Sequence, residues 1–336
     1  MDLTRTLIIA EAGVNHNGSF DLAVEMIDVA ARAGADYVKF QTAIPEEVIS
    51  CYAPKAEYQK ETTGTAESQL EMCRRIHLPL SDYERLERIC REKGIGFMST
   101  PFDLPSIDCL AALDMDYWKI PSGEITNLPY LRKVAASGRR IILSTGMSQL
   151  DEVAVAVDIL CRGGVKRDDI ALLHCTTQYP TPYDAVNLRA MDALRGLNVG
   201  AVGYSDHTLG IEVPVAAVAM GAQIIEKHFT LDREMEGPDH RASLDPEGLA
   251  AMVSSIRHIE QSLGNGVKEV AEAERSNILI ARKSIVARRA IAAGEIFTED
   301  NLTVKRPADG ISPMLWDTVI GRPAPKSFLP DQPIEL

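Results

Sequence analysis

The stretch IIEKHFT, residues 224–230, begins as the end of an apolar run and then places Glu226, Lys227 and His228 side by side. A short apolar run that stops in charged residues is typical of a buried strand whose last residues reach a functional site. In sheets of parallel strands, such sites form where the carboxyl ends of the strands meet. The stretch therefore predicts both a buried strand and a site at its end.

The same pattern recurs along the chain. Segments of helical period separate most of these runs; DLAVEMIDVAARAG (21–34), for example, closes on a glycine suited to a helix end. Eight alternating strand and helix units predict an α/β fold, a (β/α)₈ TIM barrel. The eight predicted strands are 6–13, 35–42, 94–101, 116–124, 139–147, 170–180, 198–206 and 222–230.

Polar side chains lie at the carboxyl end of every predicted strand. Each alone has a structural explanation, because a strand-end Ser or Thr often caps a helix and a lone His is often hydrogen-bonded in a core. Eight strands ending in this way together predict one shared site. The candidates are Glu11, Lys39, Gln41, Thr100, Lys119, Ser122, Glu124, Ser144, Thr145, His174, Tyr179, Ser205, Asp206, His207, Glu226 and His228.

Two histidines suggest a metal site. His207 and His228 end the seventh and eighth strands, which are neighbours in a closed barrel, so both imidazoles can approach one divalent ion. Two His with oxygen ligands suit Mn²⁺, Fe²⁺, Co²⁺ or Zn²⁺, and spacing does not choose among them. The expected role is that of a Lewis acid on a carbonyl oxygen. A structural role for both residues is the alternative.

Lysines and hydroxyl groups suggest an anion site. Compact ammonium charges, hydroxyl donors and the backbone N–H groups of the turn STGMS (144–148) suit a phosphate and a carboxylate. For the two lysines the alternative is an ion pair with a strand-end glutamate, which is compatible with anion binding. The predicted set is Lys39, Thr100, Lys119, Ser122, Ser144 and Ser205.

Composition excludes several classes of protein. The net charge of -13 over 336 residues argues against a nucleic-acid or anionic-membrane surface. No run approaches ~20 apolar residues, so no membrane-spanning segment is expected. The six cysteines contain no CxxC pair and predict reduced thiols and a cytoplasmic protein.

The chain divides into two parts of unlike pattern. Residues 1–265 contain the barrel, including an excursion over its mouth at 51–80, which is too long for an ordinary connection. A polar linker is predicted at 266–282. Short β-like pieces broken by Gly, Pro and Asp then predict a small β-rich domain at 283–336.

The ordered motifs resemble those of the bacterial sialic acid synthases, which condense phosphoenolpyruvate with an N-acetylated hexosamine. The likeness covers essentially the whole chain. Its tail, KSIVARRAIAAGEIFTEDNLTVKRPADGISPMLW, resembles the C-terminal antifreeze-protein-like (SAF, β-clip) domain of that family. The motifs are AEAGVNHNGS, VKFQT, STPFD, WKIPSGEITNLPYL, ILSTGM, LLHCTTQYPTP, GYSDHTLG, EKHFTLD and GPDHRASLDP.

The resemblance implies a role for each matching residue. His207 and His228 would hold a divalent metal, usually Mn²⁺, with Mg²⁺ or Co²⁺ as alternatives, and Glu226 would support the metal and the reacting carbonyl. The anion set above would bind phosphoenolpyruvate. Residues that would face the sugar are Glu11, Gln41, Tyr179 and Asp239, with Glu11 the candidate for proton transfer.

The resemblance also implies a shared active site. In a domain-swapped homodimer, Arg306 would reach the partner subunit's barrel and contact the acetamido group of the sugar. One position departs from the motif, since Thr177 stands where some relatives have Asn.

Two acceptor sugars fit the resemblance. N-Acetylmannosamine would give N-acetylneuraminate, and 2,4-diacetamido-2,4,6-trideoxymannose would give N,N′-diacetyllegionaminate; the sequence does not choose between them. A metal-dependent barrel hydrolase is disfavoured, because residues 15–17 read Asn-His-Asn rather than HxH. A non-catalytic sugar- or ice-binding protein would leave the residues of the barrel mouth unexplained.

Overall fold

The computed structural model describes residues 3–55, 59–60, 63–64 and 67–336. All eight predicted barrel strands are present and parallel, which confirms the fold class. They pair in the order β3-β2-β1-β8-β7-β6-β5-β4, and β3 and β4 contact each other, so the sheet curls into a nearly closed barrel. The strands are β1 (Leu7–Gly13), β2 (Tyr37–Thr42), β3 (Gly96–Pro101), β4 (Tyr117–Ile120), β5 (Arg140–Ser144), β6 (Ile170–His174), β7 (Ala201–Asp206) and β8 (Ile224–His228).

Amphipathic helices connect most of the strands. Helix α1 (Phe20–Ala33) is capped at its start by Ser19, whose hydroxyl accepts a hydrogen bond from the Leu22 N–H, and at its end by Gly34, which has a φ of +81°. The helices of this part of the chain whose full bounds the structure describes also include α2 (Pro45–Val48), α3 (Gln69–Ile76), α4 (Tyr83–Lys93), α5 (Leu104–Ala111), α6 (Leu128–Ala135), α7 (Leu150–Arg162), α8 (Ala190–Arg195), α9 (Glu212–Ala219) and α10 (Pro246–Ser262).

The period of two along each strand divides the barrel interior into layers. A lower layer is apolar and includes Ile9, Tyr117 and Ile224. Two residues further along the same strands, on the same face, stand Glu11, Lys119 and Glu226. The alternate residues face the helices and form the larger apolar core. The interior therefore changes from apolar to charged toward the carboxyl ends of the strands.

The predicted excursion at 51–80 lies partly outside the described residues. Its described part contains α3, which starts with a capping box between Ser68 and Glu71 and buries Met72 and Ile76. Gln69 at the start of α3 lines the cavity at the barrel mouth. Among the described residues, no helix has the length and apolarity needed to cross a bilayer.

The chain separates into two compact units, Met1–Gly264 and Asn265–Leu336. In the second unit, β9 (Ser284–Ala287) pairs antiparallel with β10 (Leu302–Lys305). Its own core includes Ile285, Phe297 and Phe328. Two short helices, α11 (Arg275–Ala281) and α12 (Trp316–Val319), complete it, and α11 occupies the end of the segment predicted as linker.

Candidate active site

A cavity of about 440 Å³ opens at the carboxyl ends of the barrel strands. Its lining contains twelve of the fourteen residues predicted for the site, drawn from all eight strands or the segments that follow them. These are Glu11, Lys39, Gln41, Thr100, Lys119, Ser122, Ser144, Tyr179, Ser205, His207, Glu226 and His228. The periodicity of the strands therefore brings distant parts of the sequence to one place.

Two lysines and two glutamates form a buried charge cluster in this cavity. Lys39 Nζ lies 2.7 Å from Glu11 Oε2 and 3.7 Å from Glu226 Oε2. Lys119 Nζ lies 3.4 Å from Glu226 Oε1. All four side chains are buried, so water screens these charges weakly. The ion pairs that the sequence allowed for the two lysines are thus present, and anion binding by the same residues stays a prediction.

Hydroxyl groups accept hydrogen bonds from the two lysines of the charge cluster. Lys39 donates to Thr100 Oγ1 at 2.8 Å and Lys119 donates to Ser144 Oγ at 2.9 Å. The N–H of Gly146 in the STGMS turn donates to Ser122 Oγ at 3.0 Å. A Cβ at Gly146 would lie 2.9 Å from that oxygen, so only glycine allows the turn to approach so closely. The ammonium and hydroxyl groups of these residues therefore line the same cavity at the barrel mouth.

The two glutamates have opposite pKa shifts. Burial raises the pKa of Glu11 to about 7, although Lys39 opposes the shift. Burial would also raise the pKa of Glu226, but Lys119 and Lys39 outweigh it and hold that pKa at about 2. Burial lowers the pKa of Lys119. Two carboxyl groups with pKa values so far apart suit different roles, a permanent charge and a proton carrier.

The imidazoles of His207 and His228 have ring centroids 5.6 Å apart. The Thr176 carbonyl lies 2.6 Å from His207 Nδ1; a proton on Nδ1 leaves the lone pair of Nε2 for another partner. Burial lowers the pKa of both histidines, which favours the neutral form that binds metals.

Two buried acceptor atoms at this pair suit the binding of a divalent cation. His228 Nδ1 and Glu226 Oε2 are buried and have no hydrogen-bond partner among the described residues. The described residues contain no cluster of three or more His, Cys, Asp or Glu that could hold a metal. His207 and His228 would hold such a cation, and Glu226 Oε2 would support it with a negative charge.

Four of the sixteen strand-end residues lie outside the cavity lining, and for these the prediction of a shared site was wrong. Asp206 alternates with Ser205 and His207, so it faces away and pairs with Lys227. His174 Nε2 contacts the Val186 carbonyl at 2.7 Å. Thr145 donates to the Leu173 carbonyl, and Glu124 accepts from Asn127.

The cavity also contains residues that strand-end polarity did not reveal. Phe102 and Cys175 line it, and Cys175 lies 3.2 Å from Ser122 Oγ. The parity of β6 could have found Cys175, because it lies two residues beyond the interior Leu173. Thr177, the position that departs from the motif, also lines the cavity.

The two remaining predicted residues lie elsewhere. Asp239 lines a second cavity beside the first, and burial raises its pKa to about 6. Arg306 follows β10 in the second unit, is exposed, and donates from Nε to the Ala281 carbonyl at 2.9 Å.

Comparison with known families decides the identity of the barrel unit. The model of the NeuB family matches residues 26–268, which is more than half of the chain. The chain belongs to the NeuB family. The SAF domain model matches residues 282–336, so the second unit is a SAF domain.

Curated relatives of this NeuB-family chain include two N,N′-diacetyllegionaminic acid synthases. The one from Campylobacter jejuni is 51% identical and covers 98% of this chain and 99% of its own length. The one from Legionella pneumophila is 46% identical, over 94% and 89%. The human N-acetylneuraminate-9-phosphate synthase is 36% identical, over 89% and 82%.

A solved structure of similar fold is that of an N-acetylneuraminic acid (sialic acid) synthetase from Leptospira borgpetersenii in complex with citrate. It shares 36% identity with the NeuB-family chain at a TM-score of 0.73, covering 82% of this chain and 90% of the other.

Proposed function

We propose that this protein is a nonulosonate synthase that condenses phosphoenolpyruvate with 2,4-diacetamido-2,4,6-trideoxymannose and water, giving N,N′-diacetyllegionaminate and phosphate. The observation that carries the proposal is the buried charge cluster beside two imidazoles at the mouth of a NeuB-family barrel. The names of the relatives at 51% and 46% identity support this sugar. N-Acetylmannosamine is the second candidate, supported by likeness to a sialic acid synthetase.

The charge cluster would hold phosphoenolpyruvate. Lys39 and Lys119 supply cationic charge, and the hydroxyls of the predicted anion set supply donors for the phosphate and carboxylate. Protonation of Glu11, whose pKa is about 7, leaves the cluster with one excess positive charge. An anion would therefore be bound more readily when Glu11 is neutral.

The acceptor aldehyde would lie beside His207 and His228. These two residues would hold a divalent ion, for which we propose Mn²⁺, with Mg²⁺ or Co²⁺ as alternatives. Such an ion, when bound, supplies Lewis acidity to a carbonyl oxygen. Glu226, ionised at neutral pH, keeps a negative charge next to both imidazoles. Gln41 and Tyr179 line the same space and would position the sugar.

The bond changes follow from these positions. Carbon 3 of phosphoenolpyruvate attacks the aldehyde carbon, which forms the new C–C bond and an alcohol. Water adds at carbon 2, and the tetrahedral adduct loses phosphate by C–O cleavage to leave a nine-carbon 2-keto acid. Glu11, whose pKa of about 7 allows either protonation state, would be protonated when phosphoenolpyruvate binds and would give that proton to the aldehyde oxygen as the C–C bond forms. The ionised Glu11 would then take up the proton released by the water that adds at carbon 2.

We also propose that the protein works in the cytoplasm and as a domain-swapped homodimer. The six cysteines are all free thiols, as expected in a reducing compartment. Arg306 is exposed in its own unit and is available to a partner barrel, where it would contact the acetamido group of the sugar.

The test of the function is a phosphate-release assay with each purified sugar. We expect phosphate only when phosphoenolpyruvate and an acetamido sugar are both present, with a higher kcat/KM for the diacetamido sugar than for N-acetylmannosamine. Mass spectrometry of the products identifies the acid formed. Phosphate release from phosphoenolpyruvate alone, at the same rate with and without sugar, would contradict the proposal.

A further inference from the structure

A second cavity, of about 240 Å³, adjoins the cavity at the barrel mouth. The two share Gln41, Phe102, Tyr179 and His228 in their linings. They therefore meet beside the imidazole at which we place the aldehyde. The phosphoenolpyruvate donors Lys119, Ser122 and Ser144 line only the first cavity.

One wall of the second cavity is apolar. Val14, Met72 and Ile76 are buried there and form, with Cys73, a small cluster separate from the barrel cores. Met72 and Ile76 lie four residues apart on α3, and thus on one face of it. The capping box at the start of α3 stabilises the helix that carries Met72 and Ile76.

The polar part of the described lining contains an acidic side chain without a lysine or arginine beside it. Asp239 and His77 both line the cavity, and burial raises the pKa of Asp239 to about 6 and lowers that of His77. No Lys or Arg occurs among the described residues of this lining. A negatively charged group at the Asp239 side of the cavity would meet a mostly ionised carboxylate at pH 7 with no lysine or arginine side chain of the described lining to offset it, which is unfavourable in a buried site.

We propose that this cavity, the distal subsite, receives carbons 4 to 6 of the acceptor sugar, and that Met72 and Ile76 select a methyl group over a hydroxymethyl group at carbon 6. The inference rests on the proposed function, because it takes the aldehyde to lie beside His228. With phosphoenolpyruvate in the first cavity, the second is the space for the sugar carbons beyond the aldehyde. A hydroxyl against the apolar wall would lose hydrogen bonds to water without gaining a partner.

A matched pair of sugars isolates this contact. N-Acetylmannosamine and its 6-deoxy analogue differ only in the hydroxyl at carbon 6. We expect the wild-type protein to have a kcat/KM about 10-fold higher for the 6-deoxy sugar, since one such contact in an apolar pocket is worth about this ratio. Met72→Gln keeps the side-chain length but adds an amide, and should reduce the ratio to about 2 or less.

A control separates this effect from general damage to the fold. Met252→Gln places the same change at a buried position of α10, outside both cavities, and should leave the ratio at its wild-type value. If Met72→Gln does not fold, Ile76→Thr introduces a hydroxyl into the same wall, and the same loss of ratio is expected. Ile76→Val, which is also smaller than Ile but stays apolar, is its control for size and should keep the higher ratio. N-Acetylmannosamine 6-phosphate should be used at least about 10-fold less well than N-acetylmannosamine, because its charge would meet Asp239.

The outcomes distinguish the two proposals. A wild-type protein that turns over acetamido sugars with a ratio near 1, or a folded Met72→Gln or Ile76→Thr variant that keeps the wild-type ratio, would overturn the distal subsite and leave the function intact. A wild-type protein that turns over no acetamido sugar with phosphoenolpyruvate would overturn the function and the distal subsite with it.

Discussion

At the scale of single residues, the site depends on charges that burial has altered. Glu11 and Glu226 are the same residue type within one charge cluster, yet the pKa of one is about 7 and that of the other about 2. The difference arises because Glu226 lies near both lysines, whereas Glu11 pairs with Lys39 alone. The sequence predicted that both carboxylates would reach the mouth. It could not predict which of them would titrate near neutral pH, because that depends on distances between distant strands.

Asp239 provides a test of this electrostatic account. Burial raises its pKa from 3.8 to about 6, so the folded state is penalised when the carboxyl is ionised. The contribution of the protonated Asp239 carboxyl to the free energy of unfolding is fully present below pH 3.8 and is lost as the pH rises through about 6. We expect Asp239→Asn to be more stable than wild type at pH 8, by up to about 3 kcal/mol, and equally stable at pH 3.5.

The measurement is denaturant unfolding of both proteins across this pH range. Asp114→Asn, at an exposed position, removes the same charge and serves as the control. If Asp239→Asn were less stable than wild type at pH 8, the ionised carboxylate would stabilise the folded protein rather than destabilise it. The claim that the distal subsite disfavours anions would then be contradicted.

At the scale of elements, strand parity decides which predicted residues reach the site. Polarity at a strand end predicted sixteen residues, but only the face inside the barrel opens into the cavity. Asp206 lies between two interior residues of the β7 segment and turns outward to Lys227. His174 ends β6 and contacts the Val186 carbonyl instead. Counting by twos from an apolar interior residue would have excluded Asp206 and included Cys175.

The prediction of a metal site rests on His207 and His228, which lie at the ends of β7 and β8. His207→Ala should remove bound divalent metal and reduce turnover at least about 100-fold, because one of two protein ligands is lost. Chelator-treated wild type should lose activity and regain it with Mn²⁺. The measurements are metal content by mass spectrometry after dialysis against Mn²⁺, and the phosphate-release assay.

His174→Ala is the matched control, since it removes a histidine from the end of a neighbouring strand that does not line the cavity. It should retain the metal of the wild type. Full turnover by metal-free enzyme, or unchanged metal content in His207→Ala, would contradict the assignment of the two imidazoles.

At the scale of the whole molecule, the sequence predicted two parts of different construction. The structure has two compact units that divide at Gly264, and each has a hydrophobic core of its own. The barrel was predictable because its strands repeat one pattern eight times. The arrangement of subunits was not, because it depends on surfaces that periodicity does not describe, and the shared active site stays a prediction.

Complementation tests that shared site. If Arg306 acts on the barrel of a partner subunit, inactive His207→Ala and inactive Arg306→Ala should restore activity when they are refolded together. Each mixed dimer would contain one site with both residues intact, so random pairing restores roughly a quarter of wild-type sites. A mixture without activity, in which mass measurement shows mixed dimers, would place Arg306 outside the partner's site.

The central claim is that the barrel mouth joins phosphoenolpyruvate to an acetamido sugar with cleavage of the C–O bond. Phosphoenolpyruvate labelled with ¹⁸O at the bridging oxygen tests it most directly, with mass spectrometry of the phosphate and of the acid formed from 2,4-diacetamido-2,4,6-trideoxymannose. The account predicts a nine-carbon 2-keto acid and phosphate that retains the label. Unlabelled phosphate, or labelled pyruvate with the sugar unchanged, would contradict it.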